Sequence, residues 1–349
     1  MGKQTSNMSQ DQVSDIYAGG RIKWLIGGAA ALVFGSFAKN LMSEEHCHDS
    51  TGTPEKKLRL SGECDASNWF GSQFFINKDG LAIFWRKWVP PAFSKPKGIV
   101  IISHGLAEHS GRYELLGIQL SMKGYAVYAL DHQGHGQSEG TRLYVKWFSD
   151  FIDDIHQLTE LAKKQNPEVT KCFLLGHSMG ALIAIHAVHT APKLYNAVIL
   201  SAPPLKLELP PMIDVIGPAI ASLFPKAPSP GIDISTLCND KSVVDRYMND
   251  PLCITNESPK FRLTSEIILN SLKVPEFSAQ FPIPYLLMHG TGDKICLIDG
   301  SVNFHGKTEI AEKRFVAYDG AFHELFNEPD SEQKAMKDTF VFLDLHVTK

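Results

Sequence analysis

The sequence predicts an α/β fold: a mostly parallel, doubly wound sheet with an N-terminal β-hairpin and a helical cap insertion. Three observations predict it. Apolar strand-length runs alternate with helix-length segments from Gly98 to Pro203. That rhythm stops over residues 204–280, where prolines and amphipathic helix patterns replace strands, and it resumes at Pro284. Ahead of the first alternating unit, two aromatic and β-branched runs flank a turn signal, as in a hairpin.

Each element follows from its residues. Phe70–Ile76 and Leu81–Val89 are the hairpin strands, and Asp79-Gly80 supplies the positive backbone angles of the turn. Gly98–Ser103 (GIVIIS) is apolar without interruption, as a strand covered on both faces must be. Arg112–Gly124 has helical spacing at Leu115, Leu116 and Leu120 and ends on a glycine. Tyr125–Leu130 is the next strand. Ser149–Gln165 is a helix, with Ser149 as its cap and Phe151, Ile155, Leu158 and Leu161 on one face. Cys172–Gly176 is a strand, Met179–Thr190 a mostly apolar buried helix, and Ala197–Pro203 another strand. After the insertion, Pro284–Gly290 and Arg314–Gly320 are strands, and Ser331–His346 closes the chain as a helix docked through Met336, Phe340 and Leu343.

The chain has 349 residues, 44% hydrophobic and 21% charged, an ordinary globular composition. A formal net charge of −4 gives no reason to expect nucleic acid, and the basic run Glu55–Arg59 reads as solvated linker. The six cysteines (Cys47, Cys64, Cys172, Cys238, Cys253, Cys296) have no CxxC and no regular spacing, and read as reduced thiols. His46-Cys47-His48 has ligand chemistry but lacks further ligands nearby, so it reads as a polar loop. Neither a metal ion nor an organic cofactor is asked for.

Gly176-His177-Ser178-Met179-Gly180 follows a strand and opens a helix, the setting in which G-x-S-x-G is a nucleophile elbow. The tight turn strains the central residue, the glycines let strand and helix approach, and the helix N-terminus favours negative charge. A serine needs a base, and the base an orienting acid, in the order Ser, acid, His for this architecture. Asp293 follows the strand Pro284–Gly290, and His323 follows Arg314–Gly320, so both leave the sheet on the edge that carries Ser178. Asp131 precedes the nucleophile, Asp319 is too close to His323 in sequence, and His186 and His189 lie within the helix after Ser178. Oxyanion donors are the N–H of Met179 and, from the loop His104–Glu108, the N–H of Leu106.

Five further stretches take the pattern to a resemblance: HGLAEHSGRY (His104–Tyr113), DHQGHGQSEG (Asp131–Gly140), FLLGHSMG, VDRYMNDPL (Val244–Leu252) and GTGDKI. Together they resemble the monoglyceride lipase and lysophospholipase group of the α/β-hydrolase superfamily, from about Phe70 to the C-terminus. The resemblance implies hydrolysis of monoacylglycerol to fatty acid and glycerol through Ser178, Asp293 and His323. It implies Glu108 and Arg112 at the polar end of the substrate pocket and Tyr247 on the cap side. Two departures stand out. Ala107 replaces the second glycine of HGxGEHSGRY, which bears on loop shape, and Ala181 replaces the last glycine of GHSMGG. The same catalyst would serve a lysophospholipase, another lipid carboxylesterase or an acyltransferase. A non-catalytic hydrolase-fold binding protein is the other class, and it typically lacks the nucleophile or base that this chain keeps.

A lipid ester fits the insertion. Its stretch Leu209–Phe224 is apolar with proline breaks, and divides between lining an acyl pocket and forming the cap's own core. Cys296, three residues after Asp293, is either exposed to thiol reagents or buried. The chain then organises as a polar tail (1–21), a hydrophobic segment (22–39), a linker (40–67) and a catalytic domain (68–349). Trp24–Ala38 holds no charge and reads as a membrane anchor facing the cytoplasm, although its 15 residues rise only about 22 Å against a hydrocarbon core of about 30 Å. A cleaved signal ending at Ala38 is the rival reading, opposed by Asp11 and Asp15 in the region before it. MGKQTS fits an N-myristoylation signal at Gly2, which a second apolar element would strengthen. The partners expected are a lipid ester and a membrane surface; the sequence sets no oligomeric state.

Overall fold

The computed structural model describes residues 73–90, 95–207 and 213–348, with the side chains of 213–216 excepted. All of them belong to the compact unit Thr53–Lys349. The expectations for the tail, the hydrophobic segment 22–39, the linker, Gly2, Cys47, Cys64 and His46–His48 lie outside the described residues. Among the described residues no helix is long and apolar enough to cross a membrane.

Among the described residues, eight strands form one sheet. They are β1 (Phe74–Ile76), β2 (Ala82–Trp88), β3 (Gly98–Ser103), β4 (Tyr125–Leu130), β5 (Cys172–His177), β6 (Ala197–Ser201), β7 (Tyr285–Gly290) and β8 (Lys313–Tyr318). Their order is β1-β2-β4-β3-β5-β6-β7-β8. The hairpin strands β1 and β2 are antiparallel, β2 joins β4 antiparallel, and every pairing from β4 to β8 is parallel. Along each central strand the residues alternate between two cores. Ile99, Ile101 and Leu174 face one cluster, and Val100, Ile102, Phe173 and Leu175 the other. Full burial on both faces is why these strands read as continuous apolar runs.

Helices cover both faces. α1 (Glu114–Met122), entered through a 3-10 turn at Ser110–Tyr113, packs Leu116 and Leu120 into one core. α2 (Phe148–Gln165) and α3 (Met179–Thr190) pack Phe148, Phe151 and Leu182 into the other. Ser149 is not the cap of α2: the helix begins at Phe148, and the Asp150 carboxylate reaches back to accept the Trp147 N–H at 3.0 Å. The insertion contains α4 (Ile213–Leu223), α5 (Lys241–Asn249) and α6 (Phe261–Phe277). Pro218 does not break α4 as expected, and α6 likewise runs through Pro275. The short helix α7 (Ile298–Lys307) was not foreseen, and α8 (Glu332–Val347) docks through Met336, Phe342 and Leu343. Residues 298–307 hide α7 because Gly300, Gly306 and several polar residues blur its apolar face.

The order of the sheet fixes where a site can form. β4 lies on one side of β3 and β5 on the other, so chain direction reverses its progress across the sheet at β3. A crevice opens at such a switch point, outside the carboxyl ends of the strands. Ser103, the last residue of β3, pairs in register with Gly176 of β5, which sets the loop from His104 against the turn at Ser178.

Candidate active site

Ser178 stands between β5 and α3 with φ 52° and ψ −123°, a left-handed conformation that strains a residue with a side chain by about 1–3 kcal/mol. Its surroundings enforce the turn. A Cβ on Gly176 would collide with the Gly180 carbonyl, and one on Gly180 with the Ser103 carbonyl. The Ser178 N–H donates to Ser201 O at 2.9 Å, which ties the turn to β6. Met179 is the first residue of α3, so its N–H has no intrahelical partner.

The loop after β3 is braced by its own residues. The Glu108 carboxylate accepts the Gly105 N–H at 2.6 Å and the Tyr113 hydroxyl at 2.7 Å. His104 Nε2 accepts the His132 N–H at 2.9 Å, which assigns the proton to Nδ1, 2.7 Å from Gly105 O. Ala107 takes φ 63°, so alanine occupies a left-handed position that suits the glycine of the family pattern. The cap holds it there. Its carbonyl accepts the Tyr247 hydroxyl at 3.1 Å and the Ile254 N–H at 2.9 Å. A second tie joins His109 Nε2 to Asp250 at 2.9 Å. His109, Asp250 and Cys253 present ligand-type atoms close together, but His109 Nδ1 already accepts the Gly111 N–H, so Nε2 carries the proton. That tautomer makes the group a latch between loop and cap rather than a metal site.

His323, in the loop after β8, lies with Nδ1 2.7 Å from Asp293 Oδ2. Asp293 Oδ1 accepts the N–H groups of Ile295 at 2.9 Å and Cys296 at 3.0 Å. His289 Nε2 is 3.3 Å from Asp293 Oδ2 and 2.7 Å from Cys296 O, while its Nδ1 meets Ser301 Oγ at 2.7 Å. Burial opposes charge on Asp293, but His323 and His289 outweigh it and hold the carboxyl well below the usual range. Burial also works against protonated His323, and the Asp293 carboxylate outweighs it, raising the imidazole above its ordinary value. His177 packs 4.8 Å from His323, ring to ring, and burial followed by the charge of His323 pushes it down to about 4. Cys296 lines the same cavity as Ser178, and burial, followed by the charge of Asp293, pushes its thiol well up, so it is a buried thiol.

Ser178, Met179, Leu106 and His323 line one cavity of about 490 Å³. Its polar end holds Glu108, His177 and Glu324, and its walls are largely apolar, with Leu207, Leu237, Ile267 and Ile268 among them. Tyr247 lines it from the cap. Arg112 is not a lining residue: it bonds Glu108 at 2.7 Å and Glu324 at 2.5 and 2.7 Å, with the Tyr247 ring 4.7 Å from its guanidinium. Of the apolar stretch Leu209–Phe224, only the side chains of 217–224 are described. None of these lines the cavity, and among the described residues the cap's lining comes from Pro230–Leu237, Tyr247, Pro259 and α6.

The alternatives set aside on sequence have other tasks. Asp131 accepts Ser110 N at 2.8 Å and Gln137 N at 2.8 Å. His186 bonds Asn270 O at 3.0 Å, and His189 stacks on Phe277 at 3.9 Å. Sequence reasoning missed Glu324, although an acidic residue inside Ala-Phe-His-Glu-Leu-Phe was a signal. It also missed His289 and Ile254, which only the folded chain brings to the site.

Comparison with known proteins agrees with this geometry. A family model described as "Serine aminopeptidase, S33" matches residues 94–330. The monoglyceride lipase of Rattus norvegicus is 35% identical over 257 residues, covering 72% of this chain and 83% of that protein. The monoacylglycerol lipase of Mycolicibacterium smegmatis is 31% identical, covering 76% and 93%. The crystal structure of Paleococcus ferrophilus monoacylglycerol lipase superposes with a TM-score of 0.69 at 28% identity, over 76% of this chain and 99% of that one. With a family model over most of its length and relatives above 30% identity, the chain belongs to the serine aminopeptidase S33 family of α/β-hydrolases, in its monoglyceride lipase group.

Proposed function

We propose that this protein hydrolyses monoacylglycerols to a fatty acid and glycerol, with Ser178 as nucleophile, His323 as general base and acid, and Asp293 as the orienting carboxylate. The observation that carries it is the 2.7 Å His323–Asp293 pair beside a strained Ser178, at the junction of an apolar cavity and its polar end. Asp293 holds the proton on His323 Nδ1, which leaves Nε2 to take the proton of Ser178 as the oxygen attacks the ester carbonyl. The oxyanion forms against the N–H groups of Leu106 and Met179. Protonated His323, favoured by Asp293, returns the proton to the leaving glycerol oxygen. Water then releases the acyl chain from Ser178 by the same steps in reverse roles.

The acyl chain fits the apolar walls, and Glu108 with the cap residue Tyr247 bounds the head-group end. The hydrophobic segment 22–39 supplies attachment to a cytoplasm-facing membrane surface, where such substrates reside; release of the full chain by carbonate would refute that part. Purified protein should label with a fluorophosphonate at Ser178 and cleave a 2-acylglycerol faster than lysophosphatidylcholine or a short-chain ester. Faster cleavage of either competitor at matched concentration would transfer the assignment to that substrate.

A further inference from the structure

Among the described residues, Arg112 is the one permanent cation that contacts the carboxylates of the polar end, and its charge is already spoken for. Nη1 donates to Glu108 Oε2 at 2.7 Å and Glu324 Oε1 at 2.5 Å, and Nη2 donates to Glu324 Oε2 at 2.7 Å. Its side chain is 11% exposed, and the Tyr247 ring covers it. Both carboxylates line the cavity beside Ser178 and His323, whereas the guanidinium does not. Two carboxylates and one guanidinium leave a formal charge of −1 facing the head group. The other charged lining residues, Asp233 and Lys294, are exposed and of opposite sign.

We propose that Glu324 is a specificity-determining residue: with Glu108 it admits uncharged, hydroxyl-bearing head groups and rejects phosphate-bearing ones. This rests on the monoacylglycerol reading above and narrows it. A phosphate entering this end meets carboxylate oxygens and reaches Arg112 only by displacing Glu324. Like charges brought together in a buried site repel strongly, because little water screens them. A polyol has the opposite fit. A carboxylate offers about four acceptor sites. Glu108 uses sites for Gly105 N, Tyr113 Oη and Arg112, and Glu324 for two Arg112 N–H groups and Asn327 Nδ2 at 2.9 Å. About one acceptor site remains on each, which suits the two free hydroxyls of a monoacylglycerol.

The test compares two esters of one acyl chain, 1-acylglycerol and 1-acylglycerol 3-phosphate, in the same non-ionic micelles. Wild type should prefer the uncharged ester by at least about a hundredfold in kcat/KM. Glu324→Gln should shrink that preference by about tenfold or more, and Glu324→Asp, which keeps the charge, should retain it. The readout is a ratio within one preparation, so partial unfolding cancels, and fluorophosphonate titration counts the competent sites. A wild-type ratio near one, or an unchanged ratio in Glu324→Gln, overturns the proposal. If neither glycerol ester is cleaved while Ser178 still labels, the monoacylglycerol reading fails instead, and the same ratio on hydroxyethyl and phosphoethyl esters decides the charge selection.

Discussion

Replacing Asp293 by Asn tests the chemistry with almost no change in shape. Asn keeps an oxygen for the N–H groups of Ile295 and Cys296, which bond Oδ1 in the wild type. Its NH₂ group then occupies the place of Oδ2, 2.7 Å from His323 Nδ1. A donor there requires Nδ1 to accept, which moves the imidazole proton to Nε2 and removes the lone pair that serves Ser178. The equivalent change in a Ser-His-Asp hydrolase lowers kcat about 10⁴-fold, close to 5 kcal/mol of transition-state stabilisation. A pH signature goes with it. Asp293 raises the pKa of His323 above its ordinary 6.5, so the acid limb of kcat/KM lies above that value in the wild type. Without the carboxylate the imidazole is harder to protonate, and the limb moves to lower pH. Initial rates on a 2-acylglycerol from pH 5 to 9, normalised to folded protein, measure both effects. Activity within tenfold of wild type and an unmoved acid limb would refute the assignment of Asp293.

Three further outcomes follow from the same geometry. Ala107→Gly relieves a left-handed alanine, roughly 1–2 kcal/mol, against about 0.4–1 kcal/mol of added unfolded-state entropy, so denaturant melts should give equal or slightly higher stability with activity retained; a loss above about 1 kcal/mol would contradict it. Gly180→Ala drives a methyl into the Ser103 carbonyl and should abolish fluorophosphonate labelling even where folded protein is recovered; labelling at the wild-type rate would count against the elbow geometry. Burial pushes His135 down to about 3 and His177 and His186 down to about 4, so the unfolded chain binds more protons than the native one from pH 6.5 down to about 4. Burial also lowers His104, His132 and His156, and together these outnumber the opposing pair, Asp154, raised by burial to about 7, and His323, raised by Asp293, so stability falls as pH drops across that window. Urea midpoints should fall steeply between pH 6.5 and 5, and a flat profile would show that those histidines are not held neutral by the fold.

What the sequence revealed depended on how local the cause was. β3, β4 and α3 matched residue for residue, because a strand buried on both faces and a helix buried all round each impose an unbroken apolar run. Ser178, Asp293 and His323 could be proposed as a set from sequence because each follows a parallel strand, where topology fixes the edge of the sheet on which the loop emerges. Glu324 was not legible as a partner of Arg112, since 212 positions separate them and only the fold closes that gap. The same holds for Ile254, whose N–H reaches the carbonyl of Ala107 through the cap. Ala107 itself was legible as a departure, but its left-handed backbone was not, because nothing beside it in sequence requires that angle. The cap was recognised by the loss of the βα rhythm, but which of its apolar residues face the cavity was left open. Apolar periodicity on α4 does not tell a face that packs on another helix from one that faces a ligand.

The most direct measurement is glycerol and fatty acid release from a 2-acylglycerol by wild type and by Ser178→Ala, with intact-mass detection of the acyl adduct. The wild type should turn over and carry an adduct of one acyl chain, mapped to Ser178, and the variant should do neither. Hydrolysis by Ser178→Ala at the wild-type rate, or an acyl adduct on another residue, would contradict Ser178 as the nucleophile.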